Sequence, residues 1–261
     1  MATTKVLIER RGDVTVLRLN APETLNAVSA PMIEQLSWAF EAAALEARAI
    51  VLTGVGRAFC SGAGLNDGLA GGDLGEPDLG LTLETHINPL MSQLRALPIP
   101  WIAAVRGAAA GVGCSIALAA DLVLAGETAY FLQAFARIGI IPDGGSSHLL
   151  ARGASRVRAM EMMLLGDKVP AAQALDWGLI NRVVPDDRLD DESLALATRL
   201  AAGPTKAYGL IRRLAWDGLD SDWETALRLE RDLQKAAGRT RDAGEGVAAF
   251  LEKRPARFEG R

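Results

Sequence analysis

Residues 101–120, WIAAVRGAAAGVGCSIALAA, decide the fold class of this 261-residue chain. They predict a buried strand over Trp101–Val105, a loop of small residues and an apolar helix over Cys114–Ala120. An earlier stretch repeats this plan, because a buried strand at Ala49–Thr53 leads into the glycine-containing loop Gly54–Gly64. A repeated strand, loop and helix is typical of an α/β protein.

The residues around these stretches predict further elements of the same class. Lys5–Ile8 and Val14–Leu19 lie on either side of a turn, so we expect a pair of strands. A helix is expected after Ser29, a candidate N-cap, because apolar residues then recur at helical spacing: Ile33, Leu36, Phe40 and Ala44. The glycine-rich segment Gly68–Gly80 predicts a mobile surface loop before a helix over Leu83–Leu97.

Helical patterns dominate the chain beyond Pro185, where strand signals fade. They predict helices over Leu189–Ala202, Thr205–Ala215, Trp223–Ala237 and Gly246–Leu251. We therefore expect an α/β core over residues 1–200 and a helical region over residues 201–261, whose apolar face suits a subunit contact.

Composition disfavours several classes of function. The chain has 28 Lys and Arg against 32 Asp and Glu, and this net charge of −4 disfavours a general nucleic-acid-binding surface. Two cysteines (Cys60 and Cys114) and two histidines (His86 and His148) are too few for a disulfide framework or a histidine-rich metal site, so no metal is expected. The sequence has neither a signal peptide nor the ~18 consecutive apolar residues of a membrane span, so we expect a cytoplasmic protein.

Two loops of small residues are candidates for binding a negatively charged oxygen. Arg57–Gly64 follows one strand, and Gly107–Ser115 opens the helix after another. Small residues let backbone N–H groups approach a ligand, and two such loops together can form an oxyanion hole. Either loop alone is more often a structural turn. A dinucleotide fingerprint is excluded because Ile116 stands where glycine or alanine is needed, and phosphate-loop and serine-hydrolase motifs are absent.

Asp143 is the candidate acid or base. It lies between Pro142 and a pair of glycines, a setting that equally fits a turn or an N-cap aspartate. Apolar neighbours at Ile138, Ile140 and Ile141 favour the functional interpretation, because desolvation would raise the pKa of the carboxyl into a range useful for proton transfer.

Several motifs together resemble the enoyl-CoA hydratase/isomerase (crotonase) superfamily over essentially the whole chain. They are Arg57–Asp67, Gly107–Ser115, Phe131–Gly145, Asn26-Ala27, Leu164–Gly166 and Ala174–Val184. The late run at Leu229–Asp232, Ala237–Arg239, Glu245–Val247 and Ala249–Leu251 is similar to the isomerase branch of phenylacetyl-CoA breakdown. The resemblance implies a spiral of repeated ββα units, a C-terminal helical region for trimerisation, and a homotrimer or a hexamer. It also implies an acyl-CoA thioester substrate, with no cofactor beyond the coenzyme A of that substrate.

The resemblance also implies roles for individual residues. The oxyanion-hole donors fall on the backbone N–H groups of Ala63 and Val112, and the proton-transfer aspartate falls on Asp143. Ser115 and Phe135 stand where typical hydratases carry glutamates. With Asp67, these two residues are expected to line the substrate pocket.

The resemblance leaves few candidate residues for binding coenzyme A. The family's basic residues near the early Asn-Arg-Pro segment are missing, because Ala21 and Thr24 stand there. The remaining candidates are Asn26, Ala27, Lys253, Arg254 and Arg257, of which the last three equally fit a solvated tail.

The sequence favours an acyl-CoA isomerase that shifts a double bond or converts a ring epoxide to an oxepin. An enoyl-CoA hydratase remains open if Asp143 activates water with help from Asp67 or Glu84. A non-catalytic member that binds coenzyme A or RNA is the third hypothesis, with a basic edge at Arg152, Arg156 and Arg158.

Overall fold

The structure, a computed structural model, describes residues 4–64 and 78–261. Its strands are β1 (Val6–Arg11), β2 (Val14–Leu19), β3 (Ala49–Gly54), β4 (Trp101–Val105), β5 (Ala108–Ala110), β6 (Leu122–Gly126), β7 (Tyr130–Leu132), β8 (Val169–Pro170) and β9 (Arg182–Val184). Its helices are α1 (Ala30–Glu46), α2 (Leu79–Thr82), α3 (Asn88–Ala96), α4 (Val112–Leu118), α5 (Ser146–Gly153), α6 (Arg156–Leu165), α7 (Ala171–Asp176), α8 (Leu189–Ala201), α9 (Thr205–Leu219), α10 (Trp223–Ala237) and α11 (Arg241–Leu251). Short 3-10 turns occupy Pro22–Thr24, Ala134–Ile138 and Asp186–Arg188, and a π-helical segment, Leu83–Ile87, joins α2 to α3.

The main sheet has six strands in the order β1-β2-β3-β4-β6-β9. β1 and β2 form the predicted antiparallel pair, and every other neighbouring pair in this sheet is parallel. Since parallel strands point their carboxyl ends toward one edge, the loops after β3 and β4 emerge at the same end of the sheet. Ligands of parallel α/β sheets bind at that end.

Alternating side chains of the sheet build two apolar layers. In β3, Ile50 and Leu52 join the larger core with α1, whereas Ala49 and Val51 join the smaller core under α8. The period of two follows from the pleat of a strand. Burial on both faces explains why residues 49–52 and Trp101–Val105 are apolar throughout.

A second sheet has three short strands in the order β5-β7-β8. None of these three strands was predicted from the sequence, because alanine has low β propensity and strands of two or three residues show no clear alternation. Cys60 forms a bridge to Ala109 of β5, so the loop after β3 lies directly beside this sheet.

Several boundaries differ from the predicted ones. The expected helix over Leu83–Leu97 is interrupted by the π-helical segment, and Ser29 occupies the N-cap position of α1 without a side-chain hydrogen bond. α11 begins at Arg241, five residues before the predicted Gly246, because the Thr240 hydroxyl accepts a hydrogen bond from the Ala243 N–H.

Two other predictions from the sequence are not tested by the structure. Most of the glycine-rich segment predicted as a mobile loop lies outside the described residues, and the division at residue 200 stays a prediction. Among the described residues, no helix is both long and apolar enough to cross a membrane.

Candidate active site

The loops after β3 and β4 pack backbone against backbone. The Cys60 N–H donates to the Ala108 carbonyl (2.9 Å), and the Ala110 N–H donates to the Cys60 carbonyl (2.9 Å). A Cβ on Gly62 would lie 3.2 Å from the Ala110 carbonyl oxygen, and both Gly62 (φ +103°) and Gly111 (φ +52°) have backbone conformations that favour glycine. Glycine therefore permits the close approach of the two loops.

Ala63 offers a free backbone donor on the first loop. Val28 lies alongside, where its N–H donates to the Gly62 carbonyl (2.7 Å) and its carbonyl accepts from the Gly64 N–H (3.0 Å). These bonds use the groups on either side of Ala63. Within the described part of the chain, the Ala63 N–H itself donates to no protein acceptor.

Val112 offers the corresponding donor on the second loop. It is the first residue of α4, and the N–H groups of Cys114 and Ser115 already donate to the Gly111 carbonyl. Among residues 4–64 and 78–261, the Val112 N–H has no acceptor, as expected for the first turn of a helix. The Val112 side chain is buried. Each donor thus follows a glycine at the contact between the loops, an arrangement suited to stabilising a negative oxygen.

Asp143 lies on a turn that rests on the start of α4. Gly144 (φ +58°) and Gly145 (φ +78°) make the turn, and a Cβ on Gly144 would come within 2.9 Å of the Ser115 Cβ and 3.3 Å of the Val112 Cγ2. The turn therefore sits directly beside the residue that carries the second backbone donor.

The Asp143 side chain is half-buried, and one of its carboxyl oxygens is unpaired among the described residues. Its Oδ1 is inaccessible and has no hydrogen-bond partner in the described ranges. Burial alone raises the pKa of Asp143 to about 6. Of the isoleucines expected to cause this desolvation, Ile138 and Ile141 are 57% and 81% exposed, whereas Ile140 is half-buried. The contact of Gly144 with α4 covers one side of the turn.

Phe135 and Ser115, the residues at the hydratase glutamate positions, lie next to these groups. Phe135 is half-buried, and its Cζ is 3.4 Å from the point where a Cβ on Gly111 would lie, so the ring borders the second loop. Ser115 is fully buried, and its hydroxyl donates toward the Asp143 carbonyl (3.0 Å). Neither residue supplies a titratable group at physiological pH.

Asn26 holds the first loop together with its side chain. It is fully buried; its Oδ1 accepts from the Ala21 N–H (2.9 Å), and its Nδ2 donates to the Val55 (3.0 Å) and Ala58 (2.8 Å) carbonyls. The side-chain amide is thereby committed to the protein, so a coenzyme contact here would come from the backbone. Ala27 is half-buried between Asn26 and the residue that borders Ala63.

Lys253 and Arg257 are exposed in the C-terminal tail, away from the two loops. Arg48, which precedes β3, donates to the Phe258 carbonyl (3.2 Å), so the tail lies at the end of the sheet opposite to the oxyanion loops. Arg254 is bound by both carboxylate oxygens of Glu245 (2.6 and 2.9 Å). Within one chain, the structure does not bring these basic residues to the candidate site.

The remaining candidates are placed as follows. Asp67 lies outside the described residues, and Glu84 is exposed in the π-helical segment. Arg152 pairs with Asp220 (2.8 Å) and Arg158 with Glu161 (3.3 Å). No group of three or more His, Cys, Asp or Glu side chains suited to a metal ion occurs in the described ranges.

Two functional candidates were missed in the sequence. Gln133 and Ser146 are buried beside Asp143, and Ser146 donates to the Asp143 carbonyl (2.7 Å). The spacing of Asp143 and Ser146 was a usable signal, because a serine three residues after an aspartate often bonds back to its backbone at a helix start. No local sequence pattern marks Gln133, since only the tertiary fold brings its side chain to Ser146.

Known proteins similar to this chain identify its family and fold. Residues 9–261 match the family described as enoyl-CoA hydratase/isomerase. A 1,2-epoxyphenylacetyl-CoA isomerase of Escherichia coli is 44% identical over 95% of each chain, and a probable enoyl-CoA hydratase of Rhodobacter capsulatus is also 44% identical over 95% of each chain. The crystal structure of an enoyl-CoA hydratase from Polaromonas sp. superposes with a TM-score of 0.91 at 33% identity, covering 97% of this chain and 99% of that one. These similarities confirm the crotonase-like α/β fold.

Proposed function

This chain belongs to the enoyl-CoA hydratase/isomerase family, and from that premise we propose that it is an acyl-CoA isomerase with one catalytic carboxylate. In the proposal, the N–H groups of Ala63 and Val112 bind the thioester carbonyl oxygen of the substrate. Asp143 removes a proton from one carbon of the acyl group and returns it to another. Atoms balance without a co-reactant. Double-bond migration breaks one C–H bond and forms another, and expansion of a ring epoxide to an oxepin also breaks the C–C σ bond of the epoxide and forms a C–C π bond, with no change in formula.

The uncompensated carboxyl of Asp143 is the observation that carries this proposal. A general base works best when its pKa lies near the working pH, and burial raises the pKa of Asp143 to about 6. The carboxylate produced at neutral pH is half-buried, and no hydrogen bond from the described residues stabilises its Oδ1, so the carboxylate remains basic. The adjacent backbone donors would stabilise the enolate that forms.

The residues at positions 115 and 135 favour isomerisation over hydration. By the family resemblance, a typical hydratase places two glutamates there to add water, whereas serine and phenylalanine stand here. Isomerisation needs only one group that shuttles a proton. The relative named 1,2-epoxyphenylacetyl-CoA isomerase supports an aromatic ring epoxide thioester as the substrate, with simple enoyl thioesters as the second choice.

Hydration is the alternative, because an equally similar relative is named a probable enoyl-CoA hydratase. It would need Asp143 to activate water and a second group, Asp67 or Glu84, to supply the proton. We place hydration second for two reasons. Glu84 is exposed, and burial alone raises the pKa of Asp143, so no second carboxylate of the described residues influences it.

The remaining parts of the proposal concern assembly and the coenzyme. We propose a cytoplasmic homotrimer or hexamer built through residues 201–261, with no cofactor beyond the coenzyme A of the substrate. In such an assembly, Lys253 and Arg257 would contact coenzyme A bound to a neighbouring copy, since they lie far from the site of their own chain.

The mass of the product tests the proposed reaction. The purified protein is incubated with 2-enoyl, 3-enoyl and aromatic epoxide CoA thioesters, and products are followed by mass spectrometry and ultraviolet absorption. We expect a changed absorption spectrum at unchanged mass. A product heavier by one water would establish the hydratase instead, and thioester binding without any turnover would favour the non-catalytic hypothesis.

A further inference from the structure

Three buried polar side chains form a cluster behind Asp143. Ser115, Gln133 and Ser146 are each no more than 1% exposed. The two serine hydroxyls are 2.6 Å apart, and Gln133 Nε2 donates to the Ser146 hydroxyl (2.9 Å). Both hydroxyls also reach the backbone carbonyl of Asp143, at 3.0 Å from Ser115 and 2.7 Å from Ser146.

The number of available hydroxyl protons determines which hydrogen bonds the cluster can form. An amide nitrogen only donates, so Ser146 Oγ accepts from Gln133 and keeps one proton of its own to donate. Two oxygens 2.6 Å apart must share a proton, so one serine donates to the other and the acceptor of that pair donates to Asp143. When Ser115 donates to Ser146, the Ser146 proton goes to the Asp143 carbonyl. When Ser146 donates to Ser115, the nearer acceptor for the Ser115 proton is again the Asp143 carbonyl (3.0 Å) rather than that of Gly111 (3.3 Å).

The same cluster is tied to the oxyanion hole. Ser115 lies on the first turn of α4, three residues after Val112, and its hydroxyl is 3.3 Å from the Gly111 carbonyl. The Ser146 N–H gives the Asp143 carbonyl another donor (3.0 Å), so this carbonyl is held from both α4 and α5. Its fixation sets the distance between the backbone of the carboxylate residue and the Val112 N–H.

We propose that Ser115, Ser146 and Gln133 are positioning residues, which hold the carboxylate of Asp143 at a fixed position relative to the oxyanion-hole donors. The inference rests on the proposed function. Because all three side chains are buried, including Ser115, which was expected to line the substrate pocket, we infer that they act through the backbone of Asp143 rather than on the substrate. Small displacements of a catalytic group reduce its rate contribution strongly, about 10²-fold for 1 Å, because the reacting atoms lose their alignment.

The chain contains a matched control for this bond. Ser193 is buried (2% exposed), lies in the first turns of α8, and donates to the carbonyl of Asp190 three residues before it (3.0 Å). The hydrogen bond has the same chemistry and spacing as that from Ser146 to Asp143. It lies on α8 beside the smaller core; the Asp190 side chain pairs with Arg106 after β4 (3.1 Å), but the hydrogen bond from Ser193 to the Asp190 carbonyl involves neither oxyanion loop.

The test compares Ser115→Ala, Ser146→Ala, the double variant and Ser193→Ala. With a thioester that the wild type isomerises, we expect kcat to fall roughly 10- to 100-fold in each site variant, with KM changed less than about threefold. The double variant should lose less than the product of the two single losses, because both hydroxyls act on one carbonyl. Ser193→Ala should lose comparable stability and keep its kcat.

A second readout needs no turnover. The carboxyl of Asp143, followed by carbon-13 NMR, should titrate at a lower pH in Ser146→Ala than in the wild type, since a looser turn admits water. Unchanged kcat and titration in both Ser115→Ala and Ser146→Ala would overturn the inference. A wild type that isomerises no thioester, with the titration shift still present, would instead refute the proposed function alone.

Discussion

Asp121 and Asp143 are two largely buried carboxylates with opposite surroundings. Asp121, before β6, accepts from Arg212 Nε with both oxygens (2.7 Å each) and from the Trp101 N–H (2.9 Å). Asp143 has a buried Oδ1 with no partner in the described residues. Burial raises the pKa of both carboxyls, but only at Asp121 does a guanidinium counteract it.

The different surroundings of the two carboxylates give them different roles, one in stability and one in proton transfer. Arg212 belongs to α9 and also donates to the carbonyls of Leu94 and Leu97 at the end of α3, so the Asp121 pair ties a C-terminal helix to the core. Among residues 4–64 and 78–261, Asp143 Oδ1 has no hydrogen-bond partner, and the following residue, Gly144, packs against Val112. A buried carboxylate that is paired holds the fold, whereas one left unpaired is available for proton transfer.

Removing the charge at Asp143 should have the largest effect on activity. Asp143→Asn keeps the shape but cannot accept the proton, so kcat should fall about 10³-fold or more while thioester binding persists. Steady-state kinetics and calorimetric binding measure the two quantities. Asp187→Asn, at an exposed carboxyl after β9, serves as the control and should be unaffected. Near-normal turnover of Asp143→Asn would refute the assigned base.

Breaking the Asp121 pair should have the largest effect on stability. Arg212→Met leaves Asp121 buried without its cation and should lower the free energy of unfolding by about 3–5 kcal/mol, measured by urea denaturation. Arg213→Met is the matched control, because the neighbouring Arg213 is 63% exposed and pairs with Asp217 (3.3 Å) at the surface. That variant should lose at most about 1 kcal/mol. Equal losses would contradict the structural role of the buried pair.

Asp143→Asn should stabilise the protein at neutral pH while abolishing activity. The folded pKa of about 6 lies above the ordinary 3.8, so the unfolded chain loses its proton first and stability falls as pH rises between these values. The full cost applies above pH 6, and we expect about 1–2 kcal/mol after allowing for partial exposure. Urea denaturation at pH 8 and pH 4 should show the gain only at pH 8. A gain independent of pH would contradict uncompensated burial.

The sequence predicted the parts of the site that small residues and local spacing encode. The loops that carry Ala63 and Val112 follow apolar strands, and Asp143 is marked by its proline and glycines. The parallel main sheet was equally accessible, because strands buried on both faces, such as Trp101–Val105, are continuously apolar.

The parts that depend on packing between distant segments could not be predicted. Of the isoleucines to which the desolvation of Asp143 was assigned, Ile138 and Ile141 are exposed and Ile140 is half-buried, since sequence neighbours do not show which element covers a turn. Gln133 reaches Ser146 only because β7 pairs with β5. The placement of Lys253 and Arg257 at the opposite end of the sheet likewise depends on the path of the whole C-terminal region.

The pH dependence of kcat/KM is the sharpest test that the carboxylate of Asp143 acts alone as the catalytic base. A single unpaired carboxylate acting as base predicts a rate that rises about tenfold per pH unit below the pKa of Asp143, near 6, and stays level above it. The exposed-site control Asp187→Asn should give the same curve. A profile that is flat down to pH 4, or a bell that requires a second, protonated group, would contradict the account.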